Sequence, residues 1–170
     1  MPNYCNYSMK IVGSKENCYE FVKKLSSYEE TNHFWRIFES DVYNEETYGD
    51  DTALYIAGYC AWSLESCCRA SGYSKGIDLF EENTRDLGLK MEAYSREPGM
   101  CFEEHYIYDN GVCVEDECLD ISVFWWDKTE FPTYEDFKKE YEDAPPERFF
   151  DDCEEVILGG FEKNYENWHI

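Results

Sequence analysis

The sequence predicts an α+β fold, because helical patterns are interleaved with runs that alternate apolar and polar residues as strands do. Cys5–Val12 alternates in this way and is followed by a glycine, which predicts a first strand. After Ser14, a suitable N-cap, apolar residues recur every three or four positions as far as Leu25, which predicts a helix. More strand and helix patterns follow.

Phe34–Phe38 begins a second strand before a polar loop, and the largely apolar Thr52–Trp62 is a third strand. Ser63 can cap a short helix, Ile77–Gly88 has the spacing of a longer one, and Leu89–Tyr94 is a fourth strand. The order strand–helix–strand–strand–helix–strand is the ferredoxin-like arrangement, in which two helices lie on one face of an antiparallel sheet.

A hairpin is predicted to extend this sheet. Met100–Tyr108 and the strand that starts at Val112 are separated by Asp-Asn-Gly, a strong turn signal. On the return strand the apolar parity changes across Glu115–Cys118. Two interpretations remain open: a bulge at the acidic triplet pushes its carboxylates off the sheet, or an acidic turn joins two separate strands.

The chain after Trp126 is predicted to be a helical acidic segment. Thr133 is a suitable N-cap for one helix, and Glu147–Leu158 can form a last one before two glycines. We therefore expect two parts. Residues 1–126 form a ferredoxin-like domain with a hairpin extension, and residues 127–170 form an acidic helical C-terminal segment packed on it or extending from it.

The net charge of −23 is the strongest global feature. Hydrophobic residues make up 43% and aromatic residues 18%, which is enough for a core and argues against disorder. Such a charge repels nucleic acid and anionic membranes, so we expect neither as a direct partner. Residues 97–170 hold 22 acidic and 5 basic residues, a net of −17. The acidic character belongs mainly to the second half.

The nine cysteines form no regular framework, and neither a leader pattern nor an apolar stretch of about 20 residues is present. Reduced thiols in the cytoplasm are therefore expected. The sequence also lacks a glycine-rich phosphate loop, and we predict no cofactor.

Three segments resemble the YubB-type ferredoxin-like domain family. They are the opening MPNYCNYSMKIVG, the AGYCAWS segment at Ala57–Ser63 and EPGMCFEEHYIYDNG at Glu97–Gly111. The similarity covers about residues 1–126. The chain departs from the family where Ala-Trp-Ser is usually followed by proline, and it adds the acidic end. The resemblance implies a ferredoxin-like fold and an origin in phages, plasmids or other mobile elements, but no reaction and no catalytic residues.

The hairpin and the carboxylates allow three chemical interpretations. Zinc needs four converging ligands, for which Cys101, His105, Cys113 and Cys118 are the nearest set. Nucleophilic catalysis would use Cys101, Glu103 and His105, which share strand parity. A pair of catalytic carboxylates carries little information among 38 acidic residues. We predict no metal and no catalytic residue.

The acidic surface gives the predicted function. Carboxylates on a rigid surface can imitate phosphates and attract a basic groove, although most charged runs only keep a protein soluble. We predict a phage or mobile-element protein that inhibits a basic nucleic-acid-handling host protein, such as a CRISPR nuclease, by nucleic-acid mimicry. The predicted partner-binding residues are Glu115, Asp116, Glu117, Asp120, Asp151, Asp152, Glu154 and Glu155.

Two alternatives remain. A small-molecule-binding protein or enzyme would use the open sheet face and the hairpin, with His105 and Cys101 as its polar groups. A structural homodimer would pair its sheets or exposed aromatic residues. The sequence leaves monomer and homodimer open.

Overall fold

A single curled antiparallel sheet organises the part of the chain that the computed structural model describes, namely residues 4–26, 34–69, 76–150, 154–161 and 168–170. Its strand order is β2-β3-β1-β4-β5-β6-β7. The strands are β1 (Tyr4–Gly13), β2 (Ile37–Tyr48), β3 (Asp51–Ala61), β4 (Lys90–Glu97), β5 (Phe102–Asp109), β6 (Val112–Trp125) and β7 (Glu155–Gly159).

The helices are short: α1 (Lys15–Ser26), α2 (Leu64–Cys68), α3 (Leu79–Leu87) and α4 (Tyr134–Glu140), with single 3₁₀ turns at Pro98–Met100 and Glu147–Phe150. The predicted caps are confirmed, because Ser63 and Thr133 accept hydrogen bonds from backbone amides of α2 and α4. Gly88 ends α3 at a φ of 60°, the left-handed conformation that glycine adopts without strain. No helix among the described residues is long and apolar enough to cross a membrane.

The main core lies between one face of the sheet and helices α1 and α3. Alternate residues of β1 point into it, among them Met9 and Ile11, where they meet Phe21 of α1 and Phe80 of α3. A second, smaller cluster of buried side chains lies in the C-terminal part and consists of Trp126, Phe137, Phe150 and Val156. We call residues 160–161 and 168–170 the tail. They lie against the side of the sheet opposite α1 and α3, which we call the tail face.

The predicted ferredoxin-like α+β fold is wrong. Strands β5, β6 and β7 continue one seven-stranded antiparallel sheet, and strands rather than helices dominate the chain. The predicted last helix, Glu147–Leu158, is replaced by a 3₁₀ turn and by β7, which pairs with Ile121–Trp125 of β6. Its Val-Ile-Leu run suits a strand, and hydrogen bonding to the edge of β6 decides between helix and strand there.

Strand β6 also settles the two interpretations of its acidic triplet. The strand is continuous, with one irregularity in register between Cys113 and Glu115, so an acidic turn between two strands is wrong. The bulge falls before the triplet, and Glu115, Asp116 and Glu117 stay paired with β5. The carboxylates are therefore held on the sheet and are not pushed off it.

Glu104 of β5 is a buried carboxylate that holds helix α2 in place. Its two oxygens accept the backbone amides of Leu64 (2.9 Å) and Glu65 (3.2 Å), and also the hydroxyls of Ser95 and Tyr106. These donors replace the water that the carboxylate loses on burial. The sheet thereby fixes the first turn of a helix that is only five residues long.

We expect Glu104→Gln to lower the free energy of unfolding by about 1–3 kcal/mol, because the amide nitrogen cannot accept a hydrogen bond and leaves a backbone N–H of α2 unpaired. Denaturant titration measures this loss. Glu117→Gln, the same change at an exposed site on the neighbouring strand, is the control and should cost less than about 0.5 kcal/mol. Equal losses in both variants would contradict the role of Glu104.

Candidate functional site

The first candidate site is the segment Val112–Asp120 of β6, which we call the acidic edge. It pairs with β5 on one side, whereas β7 pairs only with Ile121–Trp125. No other strand of the described residues pairs with its free side. All nine residues of the acidic edge are exposed. Four of them are acidic.

The four carboxylates of the acidic edge divide between the two faces of the sheet. Glu117 lies directly opposite His105 and Glu115 opposite Ile107, so both point to the tail face. Asp116 and Asp120 point to the other face. Asp116 forms an ion pair there, because its Oδ2 lies 2.8 Å from a guanidinium nitrogen of Arg69.

Arg69 uses Asp116 to tie β6 to the helical layer. The guanidinium also contacts Asp78 (3.2 Å) and Glu65 (2.9 Å) and lies 4.6 Å from the centre of the Tyr106 ring. Its side chain is only 13% exposed, so water screens these pairs less than it screens surface pairs. Asp116 therefore stabilises the fold. Glu117 and Asp120 form no ion pair with a described residue, so their negative charge stays uncompensated on the acidic edge.

The second predicted acidic cluster lies elsewhere. Glu155 pairs with Trp125, eight residues along β6 from Glu117, which is about 26 Å at 3.3 Å per residue. Glu154 is exposed next to it. Asp151 and Asp152 lie outside the described residues. The structure does not bring Glu154 or Glu155 to the acidic edge.

A second candidate site lies on the tail face, where Glu92, His105 and His169 meet. Oε1 of Glu92 is 3.0 Å from Nε2 of His105 and 2.7 Å from Nδ1 of His169. The backbone amide of His169 donates to the other oxygen of Glu92 at 2.5 Å. The three side-chain ligand atoms lie within 4.8 Å of one another, and Glu92 and His105 are buried.

Aromatic side chains enclose this cluster. The Tyr94 ring stacks on His105 with 4.2 Å between centroids, and Phe161 meets the same imidazole edge-on. The Tyr94 hydroxyl donates to Glu92 at 3.1 Å. Burial raises the pKa of Glu92, but the hydrogen bonds from the two histidines and from Tyr94 outweigh it and lower that pKa to about 2. The carboxylate is therefore ionised at neutral pH.

The sequence indicated only His105 of these three residues. The alternation of β4 was the available signal for Glu92, since Met91 and Ala93 face the core and Glu92 and Tyr94 must then face the other way. The Asp-Asn-Gly turn gives no register for β4, so it could not place Glu92 beside His105. The aromatic residues Phe161 and Trp168 are typical of a C-terminal segment that docks, and both pack against the sheet, but no local pattern in the sequence places His169 beside Glu92.

The two chemical sets considered on the hairpin do not form. Cys113 and Cys118 pair with Tyr108 and Glu104, so they lie on the helix side, whereas His105 points to the tail face. Cys101 is exposed at the end of a 3₁₀ turn, where its thiol contacts the Pro98 carbonyl. Neither the four-ligand zinc set nor the pairing of Cys101 with His105 is supported by this geometry.

A buried carboxylate on β5 anchors the tail next to the cluster. Glu103, only 3% exposed, binds Arg96 and accepts the backbone amide of Phe161 at 2.7 Å. Gly160 makes this approach possible, since a Cβ there would lie 2.0 Å from Oε2 of Glu103. Further along, the Lys10 ammonium donates to the Ile170 carbonyl at 2.5 Å.

Comparison with protein-family models, with curated proteins and with solved structures finds no match for this chain. The resemblance to the YubB-type domain stays a prediction. The function has to be argued from the two sites.

We expect Gly160→Ala to loosen the tail, because the added methyl group collides with Glu103 and separates Phe161 from Tyr94 and His105. Gly76→Ala is a matched control, since both glycines have a φ of 78° but none of the described residues lies within 4 Å of a Cβ at position 76. Alanine is strained at this φ, which should lower the free energy of unfolding of both variants by about 1–2 kcal/mol. The collision with Glu103 should lower that of Gly160→Ala by a further ~1–3 kcal/mol.

Denaturant titration measures the difference between the two variants, and hydrogen exchange locates it. The backbone amide of Phe161 should exchange faster in Gly160→Ala and at the wild-type rate in Gly76→Ala. Equal stability and equal exchange in the two variants would mean that the tail does not depend on the Glu103 contact.

Proposed function

We propose that the protein is an acidic binding protein that inhibits a basic nucleic-acid-handling partner by holding a basic segment of it on the acidic edge. One observation carries this proposal: nine successive exposed residues form a strand whose second side pairs with no described strand. A strand edge of this kind presents backbone donors and acceptors in a row, which an extended segment of another protein can use.

The charge of the acidic edge selects the partner. Glu117 and Asp120 point to opposite faces, so a strand added here meets a carboxylate on either side. Lysine and arginine on the incoming strand satisfy these carboxylates, and acidic segments are repelled. A second copy of this chain, with a net charge of −23, would place acidic residues against acidic residues. Self-pairing through this edge is therefore disfavoured.

The mimicry of nucleic acid is partial. Four carboxylates lie between Glu115 and Asp120, over about 17 Å at 3.4 Å per residue, whereas one DNA strand carries a phosphate every 3.4 Å or so. Charge density alone is thus lower than that of a nucleic acid. Backbone pairing along the edge supplies the remaining affinity and gives the complex a defined register.

Inhibition follows if the basic segment belongs to a groove that binds phosphates. A partner whose cationic residues are occupied by the acidic edge cannot neutralise nucleic acid at the same time. The resemblance to a mobile-element family points to a host defence protein, such as a CRISPR nuclease, as the target. This choice of target rests on that resemblance alone.

We expect Glu117→Lys/Asp120→Lys to weaken partner binding by about 10–100-fold, because two attractive contacts become repulsive. Glu140→Lys/Glu142→Lys is the control, since it makes the same change in net charge at exposed positions in and just after α4. Immobilised wild type, variant and control are compared for capture of proteins from a bacterial lysate at about 50 and 500 mM salt.

The protein retained by wild type and control, but not by the edge variant, is then purified and titrated with nucleic acid. Nucleic acid should compete with this chain for it. If both variants lose the same capture, net charge rather than the acidic edge is responsible. If nucleic acid fails to compete, the partner is not inhibited by mimicry.

A further inference from the structure

The Glu92–His105–His169 cluster has the composition of a metal site. Two imidazole nitrogens and one carboxylate oxygen converge from β4, β5 and the tail, with Glu92 fully buried and His105 nearly so. Two histidines with one carboxylate are a recurrent protein ligand set for catalytic Zn²⁺ and for non-haem Fe²⁺. We propose that these three residues bind a divalent first-row transition metal ion.

The distances fit an ion with a small adjustment. Ligand atoms about 2.0–2.2 Å from a tetrahedral ion lie about 3.3 Å from one another. Oε1 of Glu92 is 3.0 Å from the His105 nitrogen and 2.7 Å from the His169 nitrogen. These two separations must open by a few tenths of an ångström, and the two histidine nitrogens, which lie within 4.8 Å of each other, must adjust to the same spacing. His169 can supply this movement, because its side chain is 53% exposed and belongs to the tail.

The groups around His105 also match a metal ligand. Oε2 of Glu115 lies 3.4 Å from Nδ1 of His105, on the side of the ring away from Glu92. When an ion replaces the Nε2 proton that His105 shares with Glu92, a carboxylate that accepts the Nδ1 proton keeps the Nε2 lone pair directed at the ion, and ligating histidines usually have such a partner. Stacking on Tyr94 fixes the orientation of the ring. The predicted partner-binding residue Glu115 thereby gains a positioning role.

Three protein ligands leave at least one coordination position for water or another ligand. The site would be partly accessible, because His169 is half exposed and Glu115 is 47% exposed. It shares only Glu115 with the acidic edge, since Glu117 and Asp120 contribute no ligand atom.

Zn²⁺ is the probe for a first test, and two sources of adventitious binding are removed. The exposed Cys101, Cys113 and Cys118, together with Cys153, are replaced by serine, and excess Mg²⁺ occupies surface carboxylates. The full chain is freed of metal with a chelator and titrated calorimetrically. We expect one equivalent of Zn²⁺ to bind, with release of protons from the ligands.

Variants in the same serine background assign the site. His169→Ala should weaken Zn²⁺ binding by more than about 100-fold, and Glu115→Gln should weaken it by about 10–100-fold. Glu117→Gln, two residues away on the same face, should leave affinity unchanged. Far-UV circular dichroism verifies that each variant is folded. His169 is a half-exposed tail residue, so its loss is compatible with an intact sheet.

The proposal is overturned if the serine variant binds no stoichiometric Zn²⁺, or if His169→Ala binds it as tightly as its parent. A parallel titration with Fe²⁺ under anaerobic conditions compares the two candidate ions. We expect Zn²⁺ to bind more tightly, as it does at most protein sites for divalent first-row metal ions. Binding of both ions with loss in His169→Ala supports a transition-metal site. Loss of Zn²⁺ binding on serine replacement alone assigns it to thiols.

Discussion

The register of β4, β5 and β6 is the constraint on which both candidate sites depend. Each pleated strand sends alternate side chains to opposite faces, so one register places Met91 and Tyr106 in the core and Glu92 and His105 on the tail face. A slip of one residue would exchange these sets and bury carboxylates among apolar side chains. The packing of the core therefore fixes the positions of Glu92 and His105, although neither side chain is part of the core.

Three buried carboxylates then organise segments that lie far away in the sequence. Glu104 holds α2, Glu103 holds Phe161 and Glu92 holds His169, each by accepting a backbone amide. A buried carboxylate needs donors, and a chain segment that supplies them is drawn to it. The tail is thus fixed to the sheet by polar contacts and aromatic packing together.

Local signals in the sequence predicted local structure. The caps at Ser63, Thr133 and Gly88 and the turn at Asn110–Gly111 depend on a few neighbouring residues, and each is present. The sheet as a whole was not predictable in this way, because β7 forms only where β6 offers an edge. His105 stood out as a histidine on a strand, whereas Glu92 and His169 acquire meaning only through long-range register and the return of the tail.

The carboxylates of the acidic edge oppose self-association and also serve the proposed binding of a basic partner. A free strand edge with exposed Val112, Val114 and Leu119 would pair readily with another copy if it were neutral. Arg69 forms an ion pair with Asp116 where β6 packs against the helices, but Glu117 and Asp120 have no such counterion among the described residues. The carboxylates that prevent pairing with another acidic copy are the ones that favour a basic strand. The same side chains would therefore both oppose self-association and attract the proposed cationic partner.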